Sequence, residues 1–266
     1  IVAGIVAKDG LDGLVISTIL AGIFLILMGL CHFGSLIKFI PYTITTGFTS
    51  GIAVTIVIGQ LKDFFGVTYP NGLKPIETME KLNAFALGFS SFHVDALIVG
   101  GVSLAILIIS PYIFKRIPGS LIAVVIGILM VKFLPLHVST IGNLYTITND
   151  LPSFHIPAVK FSMVKSAIPN AFTIAVLAAI ESLLSCVVAD GMINGKHRSD
   201  TELVAQGLGN IASALFGGIP ATGAIARTAA NIKNGGRTPV AGMVHSITLV
   251  IVLVVLMPFA GMIPMP

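Results

Sequence analysis

The sequence predicts an all-α polytopic membrane protein with an internal inverted repeat, and three features predict it. Hydrophobic residues make up 55% of the chain and charged residues 10%, against about 25% charged in a soluble domain; the mean hydropathy is +1.01. Apolar runs approaching the roughly twenty residues that cross a bilayer recur along the chain between clusters of Gly, Pro and charge. One stretch, Ala205 to Pro239, lies among these runs yet carries a helix breaker, an arginine and a glycine cluster.

Ile1 to Ala7 reads as the end of a helix closed by Lys8-Asp9-Gly10. Because the chain opens inside an apolar run, without Met or a signal-type n-region, it reads as an internal fragment of a longer, transporter-sized protein. Leu14 to about Lys38 is the first full span, and Pro41 ends it. Tyr42 to Leu61 is the second; its Thr and Gly content suits packing against other helices. Gly66 to His93 is a polar loop with amphipathic pieces such as Ile76 to Leu87. Ala96 to about Ile113 is the third span, Lys115-Arg116-Ile117-Pro118-Gly119 a tight turn, and Leu121 to Leu134 a short fourth span. Pro135 to Lys160 is a connector between two structural units.

Ala167 to Ile193 is the fifth span and carries a carboxylate, Glu181, at its middle. Thr201 to Leu215 is a sixth, more polar helix. Gly217-Gly218-Ile219-Pro220 then breaks the helix, since proline has no amide proton to give and glycine is permissive. Thr222 is the expected N-cap of a short helix over 223–234, ended by Gly235-Gly236. That helix is too short to cross a bilayer and reads as a half-helix starting near the midplane. A long span from Pro239 to Ile263 closes the chain.

Lys8 to Gly13 followed by a span ending in Phe39-Ile40-Pro41 is echoed by Lys233 to Gly236 followed by a span ending in Met262-Ile263-Pro264. The distances from Gly10 to Pro41 and from Gly235 to Pro264 are 31 and 29 positions. The spans between alternate so that the copies point oppositely, as in an inverted repeat. Seven basic residues (Lys38, Lys115, Arg116, Lys196, Arg198, Lys233 and Arg237) fall on one side, mostly in short loops, and seven on the other, mostly in long connectors. The positive-inside rule assigns the first side to the cytoplasm.

The half-helix N-terminus offers free amides and a positive dipole end, and Arg227 lies about one turn in, which is chemistry for an anion. Arg227 either serves that anion or pairs structurally with Glu181 or with backbone carbonyls. Glu181 and Ser185 are four residues apart and share a helix face. The pair suits a proton carrier, because desolvation penalises a charged carboxylate, or part of a sodium ligand set, or an interhelical anchor. Ser182 is expected to face elsewhere. Gln206 and Asn210, also four apart, are placed to hold the exposed backbone of the break or to bond between helices. Asp190, Asp200 and Glu202 are expected to cap helices or pair with Lys196 and Arg198.

Dispersed charge argues against nucleic-acid binding. Six scattered histidines without ligand spacing argue against a metal centre, and no nucleophile-elbow pattern points to a hydrolase. Cys31 and Cys186 sit in apolar spans and read as buried thiols.

Glu181-Ser182-Leu183-Leu184-Ser185, Val188 to Met192, Glu202 to Gly207, Phe216-Gly217-Gly218-Ile219-Pro220-Ala221-Thr222-Gly223 and Arg227-Thr228 through Thr238 strongly resemble the SulP (sulfate permease) family of anion transporters. The resemblance implies a 7+7 inverted-repeat fold with core and gate domains. Of it this chain holds the end of segment 3 through segment 11. Residues 1–41 and 161–266 would be core, 42–134 gate and 135–160 connector. The anion-contacting positions would be Gly223, Ala224, Ile225, Ala226 and Arg227, with backbone amides doing most of the binding. Some members have a small polar residue where this chain has Ala226. The coupling-ion or proton position would be Glu181, with Ser185 beside it.

The expected protein is therefore a multi-pass transporter of the plasma membrane and not an enzyme. It would carry sulfate, bicarbonate, a dicarboxylate or chloride by symport with H+ or Na+ in an elevator motion, as a homodimer in full length and without a cofactor. An uncoupled anion channel and a nucleobase permease are the alternatives.

Overall fold

The computed structural model describes residues 1–39, 42–113, 117–146, 151–157 and 161–266. Pro41, Lys115, Arg116 and Lys160, which carry parts of the expected boundaries, turn and charge asymmetry, lie outside the described residues. Four described helices are long and apolar enough to cross a membrane, namely Val2–Leu30, Val94–Ile113, Met163–Ile193 and Pro239–Leu256, and a shorter apolar helix covers Gly119–Phe133. Among the described residues the one extended pairing is an isolated bridge between Thr140 and Pro264. The chain forms two compact units, Ile1–Gly47 with Leu151–Ile247 and Phe48–Asp150 with Thr248–Pro266.

In the first unit, α1 (Val2–Leu30) is continuous apart from Gly10, whose φ of 72° breaks its regularity. A residue with a Cβ would be strained there, which is why glycine holds the kink. The expected helix end at Lys8-Asp9-Gly10 is thus a kink, and the chain re-enters the helix at once. At its other end α1 stops at Leu30 instead of running to Lys38, and a tighter 3-10 segment covers Phe33–Phe39. The reason is tertiary. Asp200 accepts from the Gly34 amide at 2.9 Å and meets His32 Nδ1 at 2.9 Å.

α7 (Phe161–Ile193) starts earlier than expected and passes through Pro169, and α8 spans Ser199–Leu215. α1 packs on both. Its contact with α8 is close because glycines face each other: a Cβ on Gly207 would lie 2.5 Å from the Gly22 carbonyl oxygen. On α7, Ala171, Ala175, Ala178 and Ala179 are buried at helical spacing. The buried hydroxyls Ser17 and Thr18 each donate to their own helix, at 2.7 Å to Gly13 and Leu14 carbonyls.

In the second unit, α2 (Tyr42–Phe64, which begins in the first unit) leads into a loop containing α3 (Thr78–Gly88). The Glu77 and Glu80 side chains close a capping box at the start of α3. α4 (Val94–Ile113) and α5 (Gly119–Phe133) pack together. The first part of the connector, with the single turn α6 (Ile141–Leu144), lies against the end of the chain: Ile141 and Gly142 amides donate to Ile263 and Gly261 carbonyls at 2.9 Å each.

The expected last span is not a uniform helix. α10 (Pro239–Ile251) gives way to a π turn at Val252–Leu256 and then to α11 (Met257–Ala260). Pro258 has no amide to offer the Val254 carbonyl, so the helix widens ahead of it.

Candidate functional site

The site is built where α8 ends, in the first unit. After Leu215 the Gly218 amide donates to Ser213 O at 2.7 Å, and Ser213 Oγ donates to Ile219 O at 3.1 Å. The chain then stays non-helical to Ala224, and α9 (Ile225–Lys233) begins. The break expected at Gly217-Gly218-Ile219-Pro220 is present, with α9 a nine-residue half-helix.

Asn210 holds the break in place. It is 1% exposed. Its Oδ1 accepts from the Ala221 amide at 2.8 Å and its Nδ2 donates to the Ala221 carbonyl at 2.9 Å. The same Nδ2 donates to Gln206 O at 2.9 Å, and Gln206 Nε2 also donates to Ala221 O. The two residues read as placed to hold the break therefore do so. Replacing Asn210 with Ala removes the three hydrogen bonds by which its buried side chain clasps the break, each worth about 0.5–1.5 kcal/mol. Asn210→Ala is expected to lower the thermal midpoint of the purified full-length protein and reduce transport. An unchanged midpoint and rate would show that the clasp is dispensable.

The N-cap expectation is corrected. Ala224, with extended backbone, precedes the first helical turn, and no side chain caps it. Thr222 is pulled to α7 instead: its hydroxyl donates to Ala178 O at 3.1 Å and lies 3.4 Å from Ser182 Oγ. The Gly223 amide donates to Ser182 Oγ at 3.0 Å. A Cβ on Gly223 would sit 3.2 Å from Ser182 Cα, so this approach favours glycine. One turn further along, Ser185 Oγ and Thr228 Oγ1 are 2.7 Å apart. Ser182, expected to face elsewhere, is thus the residue on which the turn rests, and Thr228 joins it. Their signal was available in the spacing of Ala178, Ser182 and Ser185 on one helix face. Ala178 and Ser182 lie near the middle of the 33-residue α7, so the half-helix starts at mid-span depth.

The first hydrogen bond of α9 runs from the Thr228 amide to Ala224 O at 2.9 Å. Among the described residues the amides of Ala224, Ile225, Ala226 and Arg227 have no acceptor, whereas that of Gly223 is committed to Ser182. Arg227 is exposed and makes no ion pair or hydrogen bond among the described residues, so the alternative of pairing with Glu181 is not realised. Glu181 is half-buried and likewise has no hydrogen bond or ion pair among the described residues. Among the described residues the aspartates Asp190 and Asp200 meet histidines. Asp190 Oδ2 takes His197 Nδ1 at 2.7 Å and Asp200 takes His32, in place of the expected Lys196 and Arg198.

Four unclaimed amides at a helix N-terminus, with a free guanidinium in the first turn, are chemistry that suits negative charge. A half-helix that begins at mid-span against a long helix bearing an unpaired carboxyl is the architecture of a membrane transporter.

The chain belongs to the sulfate permease family, whose model matches residues 1–266. YvdB of Bacillus subtilis (strain 168), named for sulfate transport, is 41% identical over 100% of this chain and 50% of its own length. The bicarbonate transporter BicA of Synechocystis is 32% identical over 100% of this chain and 47% of its own. The solved transmembrane domain of a cyanobacterial BicA superposes with a TM-score of 0.82 at 31% identity, covering 100% of this chain and 67% of that one. Murine Slc26a9, at 21% identity, shares the fold with a TM-score of 0.80 over 97% of this chain and 42% of its own. The chain spans about half the length of these curated relatives. The family is one of membrane anion transporters, not of enzymes.

Proposed function

We propose that this chain supplies one half of the anion site of a secondary active transporter that carries a small anion, sulfate or bicarbonate foremost, across the plasma membrane. The observation that carries this reading is the set of free amides from Ala224 to Arg227 at mid-span depth, beside an unpaired guanidinium. An anion entering there replaces its lost hydration with four fixed donors and one positive charge. The names of YvdB and BicA support sulfate and bicarbonate. Gly223 belongs to the site as the residue that lets the turn approach Ser182.

Coupling would run through Glu181. Its carboxyl can bind or release a proton without breaking a bond to any described residue, and this favours H+ over Na+. Ser185, engaged with Thr228, would position the neighbouring turn of α7. In this reading the core segments carry the site past the gate segments in an elevator motion, and the full-length protein works as a homodimer. The test is uptake by the full-length protein in liposomes, with sulfate, bicarbonate and fumarate offered under imposed proton or sodium gradients. Accumulation of one anion above its equilibrium level is expected. Unitary anion currents that ignore both gradients would replace this reading with a channel.

A further inference from the structure

The free amides of Ala224 to Arg227 lie on a stretch that is tied to α7 at both ends. Before them, the Gly223 amide donates to Ser182 Oγ at 3.0 Å and the Thr222 hydroxyl donates to Ala178 O at 3.1 Å. After them, Thr228 Oγ1 lies 2.7 Å from Ser185 Oγ. Among the described residues, these contacts and the one between Thr222 and Ser182 are the hydrogen bonds that join the break and α9 to α7. The turn of α7 that receives most of them runs from Ser182 to Ser185 and starts at the residue after Glu181. The candidate anion site and the unpaired carboxyl are thus mounted on one turn of one helix.

The contact at Ser182 has a direction. Thr222 gives its one hydroxyl proton to Ala178 O, so in the 3.4 Å pair between Thr222 and Ser182 the donor is Ser182. Gly223 N–H, Ser182 Oγ–H, Thr222 Oγ–H and Ala178 O then form one chain, in which each hydroxyl both accepts and donates and successive bonds polarise one another. Ser182 is 0% exposed, so water does not compete for its place in that chain, whereas Glu181 beside it is half-buried. The approach is also close: a Cβ on Gly223 would lie 3.2 Å from Ser182 Cα and 3.2 Å from its Oγ.

We propose that Ser182 is the positioning residue that links Glu181 to the anion, holding the free amides at a fixed distance from the carboxyl. This role rests on the reading of Glu181 as the coupling group. Coupling is a free energy between two sites, so charge at one must change binding at the other. Between a carboxylate and an anion that free energy is Coulombic repulsion, and separation sets its size. A proton on Glu181 removes the repulsion, and proton and anion load together. Ser182 fixes the separation, because its backbone continues that of Glu181 and its hydroxyl holds the amide just before the first free one. With the contact gone, the two occupancies become independent and the anion crosses without its proton.

The experiment follows labelled sulfate and labelled bicarbonate into liposomes holding the full-length protein, under an imposed gradient of about two pH units, and reads both the initial rate and the final plateau. Loss of active protein slows the rate and leaves the plateau where the gradient sets it, whereas loss of coupling lowers the plateau. Ser182→Ala is expected to lower the plateau from about 100-fold to less than about 10-fold. Ser182→Thr, which keeps the hydroxyl, is expected to restore it. Gly223→Ala presses a Cβ on the same contact from the other side and is expected to lower the plateau too; it stands in if Ser182→Ala does not fold. A wild-type plateau in either folded variant, at whatever rate, would overturn the proposal and leave Ser182 a structural contact. A low plateau in Glu181→Gln beside that result would show that the coupling role of Glu181 survives and the link through Ser182 alone has failed. A wild-type plateau in Glu181→Gln would overturn both.

Discussion

Glu181→Gln in the full-length protein is expected to abolish gradient-driven accumulation while leaving anion exchange intact. Gln keeps the shape of the side chain and removes its ability to carry charge and proton. The size of the effect follows from the driving force. For one proton carried per anion without net charge movement, a gradient of two pH units sustains about 100-fold accumulation, because each tenfold ratio is worth about 1.4 kcal/mol. In the variant this falls to the equilibrium ratio set by the anion alone. Exchange of internal for external anion should persist, since the Ala224–Arg227 amides and Arg227 do not depend on Glu181 for any hydrogen bond or ion pair among the described residues. Labelled-anion uptake with and without the imposed gradient measures both. Accumulation that still follows the gradient would remove Glu181 from coupling. Loss of both accumulation and exchange would make it a structural anchor of α7.

The division between what could and could not be read from the residues follows the range of the forces. The spans are decided by local composition, and α4, α5 and α8 fall within two residues of their expected ends. The break after Leu215 is also local: Gly217 adopts a φ of 73°, and Pro220 lacks a donor. Gln206 and Asn210 were legible as its support because a broken helix in a membrane needs its backbone satisfied. Three of the four misreadings involve partners distant in sequence. α1 ends early because of Asp200, more than 160 residues away. Thr222 forsakes the N-cap for Ala178, 44 residues away. Asp190 chooses His197 over its charged neighbours because a ring nitrogen and the His197 amide, at 3.0 Å, reach the same oxygen. Ser182 was read as facing elsewhere although it shares a helix face with Ala178 and Ser185, and its partner, the Gly223 amide, lies 41 residues away.

Arg227→Ala separates a functional from a structural arginine, because the two roles predict different observables. A structural Arg227 would be bonded, and its removal would strip a partner from a buried group and lower stability. Arg227 has no such partner among the described residues and is exposed, so the thermal midpoint of the full-length protein should stay unchanged. Its contribution should appear only when an anion is present. A hydrogen bond to a charged group is worth about 1.5–3 kcal/mol, and each 1.4 kcal/mol is tenfold in affinity. The substitution should therefore raise the KM for the transported anion by about 10- to 100-fold. The remaining affinity would come from the amides of Ala224, Ile225 and Ala226, which the substitution leaves in place. Arg227→Lys should recover part of the loss, since a point charge replaces the field but not the planar fork of donors. The ratio of the two variants then reports how much of the arginine's role is charge and how much is geometry. A lowered midpoint with an unchanged KM would return Arg227 to the frame of the protein, and the backbone amides would hold the anion alone.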